Sequence, residues 1–501
     1  MKLITRYIIL FIFFVIFIIS ATILLKYASG YRYDFKKNIW QKTGILVLKS
    51  NPKDASIFLN GELQKEKTPT KIMNLFPGDY LIKLQKTGFS DWQKKITINP
   101  NSTTFAQNII LFKKDQIPIL LSDKNIEFFK LSPNEKEIIY STKNKMGLDL
   151  WLYNFNTKEE KKLNHLSSMQ IIKINNLSFS SSEKKILIEG NNDLEKTNYL
   201  ILNLEKPKEI ISLNLFAPNI QNIKWHFEND KILYGITKIN NASSLIQINL
   251  KDKKIIPIIS KTTNILDYYF DKKFIYYLTL NSKNNVSLKK IDKNNFSLIS
   301  EEITQLPFSS YSFVFSPKDI LTILDKKNQL LYLISFHSEY QFKTQKIILD
   351  AKDVSWSKNG EKILYYNDFE LWICYLNSEK LKESSYELLG RWTQKISKAI
   401  WHPQENYIIF TLLNKDADKV NNNKSVAIDD SKMPTNNTYL TGFVSDDSIN
   451  AIEIDSRDQK NIAPLLKSEK IKDLFFSSKD KILYFIKEEK EENKLYEMEI
   501  Y

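Results

Sequence analysis

Phe129-Lys130-Leu131-Ser132-Pro133-Asn134-Glu135-Lys136-Glu137-Ile138-Ile139-Tyr140 decides the fold. An apolar run enters Ser-Pro, a polar turn follows, and a second apolar run leaves it, with Leu150-Trp151-Leu152-Tyr153 close behind. The pattern returns at Phe179-Ser180-Ser181-Ser182-Glu183-Lys184, Trp225-His226-Phe227-Glu228-Asn229-Asp230 and Phe270-Asp271-Lys272-Lys273. It returns again at Phe315-Ser316-Pro317-Lys318-Asp319, Trp356-Ser357-Lys358-Asn359-Gly360-Glu361, Trp401-His402-Pro403-Gln404-Glu405 and Phe476-Ser477-Ser478-Lys479-Asp480. Counted from the apolar residue before each turn, the steps are 48, 46, 45, 45, 41, 45 and 75 residues. A steady period of this length marks an array of like units, each too small to bury its apolar face alone.

Every unit has strand-length apolar runs on both sides of its turn, and the runs are too short for helices. The reading is an all-β chain whose residues 116–501 form a β-propeller of eight blades, with seven blades plus an irregular sheet as the alternative. The last unit stops after its third strand, residues 495–501, while residues 116–122 make a spare strand ahead of the first. Unpaired N–H and C=O groups along an edge are costly and adhesive. The spare strand is therefore expected to pair with the last unit and close the ring. The long step places an insertion, rich in Asn, Asp, Lys and Ser, at 414–448, which reads as a surface loop. Asp416 and Asp418 have calcium-loop spacing, but Val420 occupies the next ligand position and no glycine follows at the sixth, which argues against a metal.

Composition removes several classes of function. The nearest pair among the eleven glycines is Gly78 and Gly88, so no dinucleotide loop, phosphate loop or nucleophile elbow fits anywhere. The net charge of +14 comes mainly from lysines spread over the turns. Without Arg/Lys clusters interleaved with aromatics, nucleic acid is not an expected partner. The single cysteine, Cys374, allows no internal disulfide and lies in a strand pattern, as a small buried hydrophobe.

Residues 1–6 are a short basic stub, and residues 7–25, from Tyr7 to Leu25, are nineteen uncharged residues. At 1.5 Å per residue they reach roughly 28 Å, enough to cross a bilayer core. A cleaved leader usually has a shorter apolar run and a small-residue cleavage site, so an uncleaved anchor is expected. Two cations precede the segment, and five follow it: Lys26, Arg32, Lys36, Lys37 and Lys42. That asymmetry favours a cytoplasmic main body, but large domains cross with little regard to charge. The expectation is a single-pass protein of the cell membrane with its large part outside.

After a linker at 26–43, residues 44–112 show short strands, an Asn60-Gly61 hairpin signal and a Pro77-Gly78 turn, which together predict a small β-sandwich. Ser50-Asn51-Pro52-Lys53-Asp54-Ala55-Ser56-Ile57-Phe58-Leu59-Asn60-Gly61, then Thr68-Pro69, Leu75-Phe76-Pro77-Gly78-Asp79-Tyr80, Lys86-Thr87-Gly88-Phe89 and Trp92 resemble the PEGA domain. The namesake tetrapeptide stands here as Pro52-Lys53-Asp54-Ala55, with Asp54 where the family has glycine. The resemblance implies a non-catalytic module of bacterial and archaeal envelope proteins, often found beside a membrane anchor. The turn phrase in turn is similar to the Ser-Pro-Asp-Gly-Lys of TolB-like and WD40-like propeller repeats, although only Trp356 to Glu361 keeps the glycine.

Candidate chemistry is sparse. His165, His226, His337 and His402 fall in four repeats with no paired-ligand spacing, so no metal, cofactor or catalytic residue is assigned. His226 and His402 occupy the place where other repeats have Ser or Asp, a position suited to bonding the turn backbone. The aromatics lie mostly in strand patterns and are expected in the core. A propeller peptidase needs a separate hydrolase domain, for which the repeats leave no room. The expected function is a non-catalytic, membrane-anchored envelope protein whose propeller binds a protein or an anionic envelope polymer. The alternatives are a propeller lyase or glycan hydrolase with channel carboxylates, and a cytoplasm-facing tethered scaffold.

Overall fold

The structure, a computed structural model, describes residues 3–501 apart from 146, 167–168, 216, 240–241, 282–284, 294, 297–299, 315, 318–319, 339–340, 349–350, 377–384, 414–446, 469 and 478–480. Only the backbone is described at 3–6, 239, 260–263, 335–338 and 341–348. The chain opens with one helix, α1 (Leu3–Ala28). Its apolar window, Tyr7–Ala28, covers 22 residues and is 0% buried by the rest of the protein. The helix outlasts the expected segment because nothing before Gly30, whose φ is +81°, breaks the backbone ladder.

The expected linker at 26–43 is not a linker. It holds the end of α1 and a hairpin of Tyr31–Asp34 with Ile39–Lys42, in the register Tyr31↔Lys42 and Tyr33↔Trp40. The turn forms because the Asp34 carboxylate accepts hydrogen bonds from the backbone N–H groups of Lys36 (2.9 Å) and Lys37 (3.3 Å), and Asn38 adopts a left-handed φ of 51°.

The sandwich follows. Gly44–Asn51 is central in a three-stranded sheet, antiparallel to Thr70–Leu75 and parallel to Thr103–Ile110. The facing sheet runs Glu62–Lys67, Ser56–Leu59, Gly78–Gln85, Trp92–Ile98 in spatial order. Leu46, Leu48, Ile57, Ile82, Leu84 and Ile96 fill the space between the two. Glu62–Lys67 has no apolar signal, and it becomes a strand because Asn60 (φ 49°) and Gly61 (φ 88°) make the left-handed two-residue turn that returns the chain onto Ser56–Leu59. Asp54 takes φ 64° where the family has glycine.

Beyond residue 115 the described strands sort into eight four-stranded antiparallel sheets, in propeller fashion. Seven are sequential meanders, and each opens on the strand that leads into one turn phrase. The last is composite: Ile119–Ser122 pairs with Glu492–Glu499 at the outer edge of a sheet completed by Ile482–Glu489 and Ile471–Phe476. The closing strand is thus residues 119–122 of the expected 116–122, and its partner begins at Glu492 rather than 495. Asp447 and Ser448, placed in the insertion by sequence, belong to the strand Asp447–Glu453. The rest of that insertion, with Asp416 and Asp418, lies outside the described residues.

Counted from the Ser or His after the apolar residue, four copies of the turn phrase share one backbone solution. Its fourth residue is left-handed at Glu135 (φ 57°), Glu183 (59°), Gly360 (68°) and Glu405 (56°), so glycine is the exception at a position whose geometry suits it best. The glutamates have a use. Glu183 accepts the backbone N–H of Asn134 one sheet earlier at 3.3 Å, and Glu405 accepts those of Lys358 and Asn359, the latter at 3.2 Å. Trp225 and Trp401 add a second stitch, donating Nε1–H to the carbonyls of Ser178 (3.1 Å) and Ser355 (3.3 Å) in the preceding sheets. Phe485, fully buried in the composite sheet, tests how far the ring depends on its seam. Phe485→Ala should destabilise the chain by about 3–5 kcal/mol, read as a lower denaturant midpoint.

Candidate functional site

The phrase position occupied by Ser, His or Asp is a backbone acceptor in every form. Ser132, Ser180 and Ser357 accept the N–H five residues on, at 3.0, 3.2 and 3.0 Å. His226 Nδ1 accepts Glu228 N–H at 3.1 Å, His402 Nδ1 accepts Gln404 N–H at 3.2 Å, and Asp271 accepts from Lys273 and Phe274 at 2.7 Å each. Burial, followed by nearby Lys293, lowers the His226 pKa and keeps the ring neutral, the state in which Nδ1 can accept. His165 Nδ1 lies 2.7 Å from Asp149 Oδ1, and the His337 side chain lies outside the described residues. Cys374 is buried, which pushes its thiol up to about 12. Among the described residues no three His, Cys, Asp or Glu side chains converge to hold a metal.

The first strands of successive sheets approach one another around the centre. Four residues before the acceptor, three of them carry aspartates: Asp267, Asp353 and Asp473. Asp267 accepts from Asn222 Nδ2 (2.7 Å), Lys224 Nζ (2.9 Å), its neighbour Tyr268 N–H (2.7 Å) and Phe313 N–H (3.0 Å) on the next sheet. Asp473 accepts Leu474 N–H at 2.7 Å and faces Lys398 at 3.6 Å, while Asp353 accepts Val354 N–H at 2.9 Å and Tyr366 O–H at 3.4 Å. Asp267 and Asp473 thus reach across to neighbouring sheets, while Asp353 is bonded within its own.

A different place is open. Sandwich and propeller meet at the turn-phrase end of the seventh and eighth sheets. Trp92, Gln93, Lys94 and Lys95 run along the segment between Asp447–Glu453 and Ile462–Ser468. Lys94 is 0% exposed, and its ammonium is held by the Glu453 carboxylate, the Asp455 carbonyl at 2.7 Å and the Asp455 carboxylate at 3.6 Å. Glu453 also accepts Trp92 Nε1–H at 2.8 Å, Asn461 N–H at 3.0 Å and Asn461 Nδ2 at 2.8 Å, so both its oxygens are engaged. Ile110 N–H donates to the Tyr407 hydroxyl at 3.1 Å, and Phe112 packs edge-on to Tyr407 and Tyr501 within the core of the last two sheets.

Beside this junction lies a cleft of about 910 Å³ walled by both parts. From the sandwich come Phe105, Gln107 and Asn108, and from the propeller Tyr375, Tyr386, Glu387, Asn406, Tyr407 and Asp455 to Arg457. Arg457 grips Asp455 (Nη2 to Oδ2 2.7 Å) and donates Nη1–H to the Phe105 carbonyl at 2.7 Å. Burial alone would raise the Asp455 pKa, but Arg457 and Lys94 outweigh it and hold the carboxyl below its ordinary 3.8. Burial raises the Tyr375 and Tyr407 hydroxyls, and it brings Tyr386 up to about 12, so all three stay O–H donors. Phe105 and Tyr386 leave large parts of their rings exposed. The cleft therefore offers aromatic faces, amides and hydroxyls around charges already paired: equipment for binding. Sequence could have located Lys94, because strict alternation puts it in phase with buried Trp92, Ile96 and Ile98.

A small β-sandwich fused to a propeller of four-stranded sheets is the class of protein these features define. Residues 43–110 match the PEGA domain family. Similar solved structures include the eukaryotic initiation factor (13% identity, 85% of this chain and 98% of that one, TM-score 0.48). The Dos1 propeller (12%, 76% and 94%, 0.47) and oligogalacturonate lyase from Vibrio parahaemolyticus (12%, 60% and 91%, 0.41) are also similar. Likenesses this distant carry nothing about activity. No curated protein is matched by the chain.

Two outcomes test the junction. Lys94→Met strands a buried carboxylate and should cost about 3–5 kcal/mol, whereas adding Glu453→Gln should restore at least half of the lost denaturation midpoint. Asp455, with its folded pKa depressed, contributes stability that is complete above 3.8 and fades as pH falls below it. Arg457→Met removes the main depressing partner, so the acid-unfolding midpoint should move to higher pH.

Proposed function

We propose that this is a single-pass, membrane-anchored and non-catalytic protein of the cell envelope, with α1 in the bilayer and the sandwich and propeller outside. It binds a protein or an envelope polymer in the cleft between them. One observation carries the reading: the sandwich and propeller are fixed to each other by a buried charge pair and a shared core, and the cleft they build opens at the turn-phrase end, downstream of a wholly exposed apolar helix. The engagement of the channel aspartates and of both Glu453 oxygens supports binding over catalysis. The match of residues 43–110 to a module found in envelope proteins supports the location.

Intact cells carrying a C-terminal tag test the orientation: added protease should remove the tag while a cytoplasmic control survives, and survival of the tag would place the main body inside. Detergent-solubilised full chain should sediment with isolated cell-wall polymer or retain a protein partner. Phe105→Ser combined with Tyr386→Ser should weaken that retention at least tenfold without moving the unfolding midpoint. Unchanged retention would remove the cleft from the proposal, and depolymerisation of the bound polymer would replace binding with catalysis.

A further inference from the structure

The hairpin between α1 and the sandwich has a surface that the domains do not use. Phe35 is 84% exposed and Ile39 48%, while Tyr33 packs edge-on between Phe35 (5.1 Å) and Trp40 (5.6 Å). Cations lie on the surrounding rings: Arg32 3.5 Å from the Tyr27 centroid, Lys26 5.4 Å from Trp40 and Lys42 5.6 Å from Tyr31. Lys36 and Lys37 occupy the exposed turn. Asp34 is the only acid before Asp54, and its charge is turned inward, 6% exposed, onto the turn N–H groups and Gln41 Nε2 at 2.6 Å. Five cations therefore surround an aromatic cluster, with Lys26, Lys36 and Lys37 exposed, Arg32 and Lys42 half-exposed, and no exposed anion among them. The cluster begins where the apolar helix ends.

We infer that the Tyr31–Lys42 hairpin is a membrane-surface collar, seated in the headgroup layer of the leaflet from which α1 emerges and taking the phosphates of anionic lipids on Lys36, Lys37 and Lys42. This rests on the reading of α1 as a membrane span. The occupant follows from continuity with that helix and from charge: Trp and Tyr rings favour the boundary between chain and headgroup, and each Lys or Arg near an anionic surface adds to the attraction. The collar is also braced on its far side, since Thr43 N–H donates to the Gly30 carbonyl at 3.1 Å and Asn101 N–H to the Thr43 carbonyl at 3.0 Å. The base of the hairpin is thus tied to the sandwich. The five cations after α1, which by count alone argue for a cytoplasmic body, have a lipid-facing role in whichever leaflet they meet.

The test uses the full chain reconstituted in vesicles of phosphatidylcholine, alone or mixed with phosphatidylglycerol, with bromine-labelled acyl chains quenching nearby tryptophan emission. Seven of the eight tryptophans lie in the sandwich or propeller, so quenching should arise almost wholly from Trp40 and vanish in Trp40→Phe. It should deepen with phosphatidylglycerol and lose that increment in the double variant Lys36→Glu, Lys37→Glu. Vesicles that float with bound protein while Trp40→Phe leaves quenching unchanged would show the hairpin standing clear of the bilayer and overturn the inference alone. Equal quenching in both lipid mixtures would overturn its anionic-lipid part. Protein that fails to float would overturn the anchor reading and the inference with it.

Discussion

A circle of sheets has to end where it began, and the structure meets that constraint with four residues. Ile119–Ser122, lent to the last sheet, removes the edge that the final three strands would otherwise present. Nearby, Lys113 N–H donates to the Ile500 carbonyl at 2.8 Å, so the chain enters and leaves the ring at one seam. Everything upstream is positioned by it. Ile110 and Phe112, still attached to the sandwich, complete the apolar core of the last two sheets, and the sandwich has one place to rest.

Lys94 is the cost of that placement. A lysine removed from water needs its charge answered and its protons accepted, and Glu453 at the end of its strand supplies a carboxylate while Asp455 just beyond supplies a carbonyl and a second carboxylate. Because Glu453 also accepts from Trp92 and Asn461, the junction is specified by direction as well as by area. The cleft beside it inherits this order: Arg457 spans from Asp455 to the Phe105 carbonyl, across the boundary between the two parts.

Much of this was legible in the sequence because the repeat is local. A turn bracketed by two strands needs only a dozen residues to declare itself, and Ser132, His226, Asp271 and His402 all turned out to be backbone acceptors at the position where the pattern placed them. Closure was legible as well, since an odd strand at each end of an array has one economical use. What escaped were two hairpins whose strands carry little apolar pattern, and one feature that depends on distant partners. Glu62–Lys67 reads as a polar loop until the Asn60-Gly61 turn folds it against Ser56–Leu59, and the hairpin at Tyr31–Lys42 hid inside an apparent linker. The cleft escaped because its walls come from residues far apart along the chain, such as Phe105 and Arg457, 352 residues apart, which no periodicity relates.

The left-handed glutamates bear on how such a ring can change over generations. At Glu183 and Glu405, where the corner would suit glycine, the carboxylate takes hold of the turn one sheet earlier. The two units that carry them are thereby not freely exchangeable copies, since each holds part of its neighbour's backbone in place. Duplication or deletion of a single unit would then strand two partners at once. At Glu183 and Glu405 a corner without glycine and a unit bound to its neighbour are the same feature.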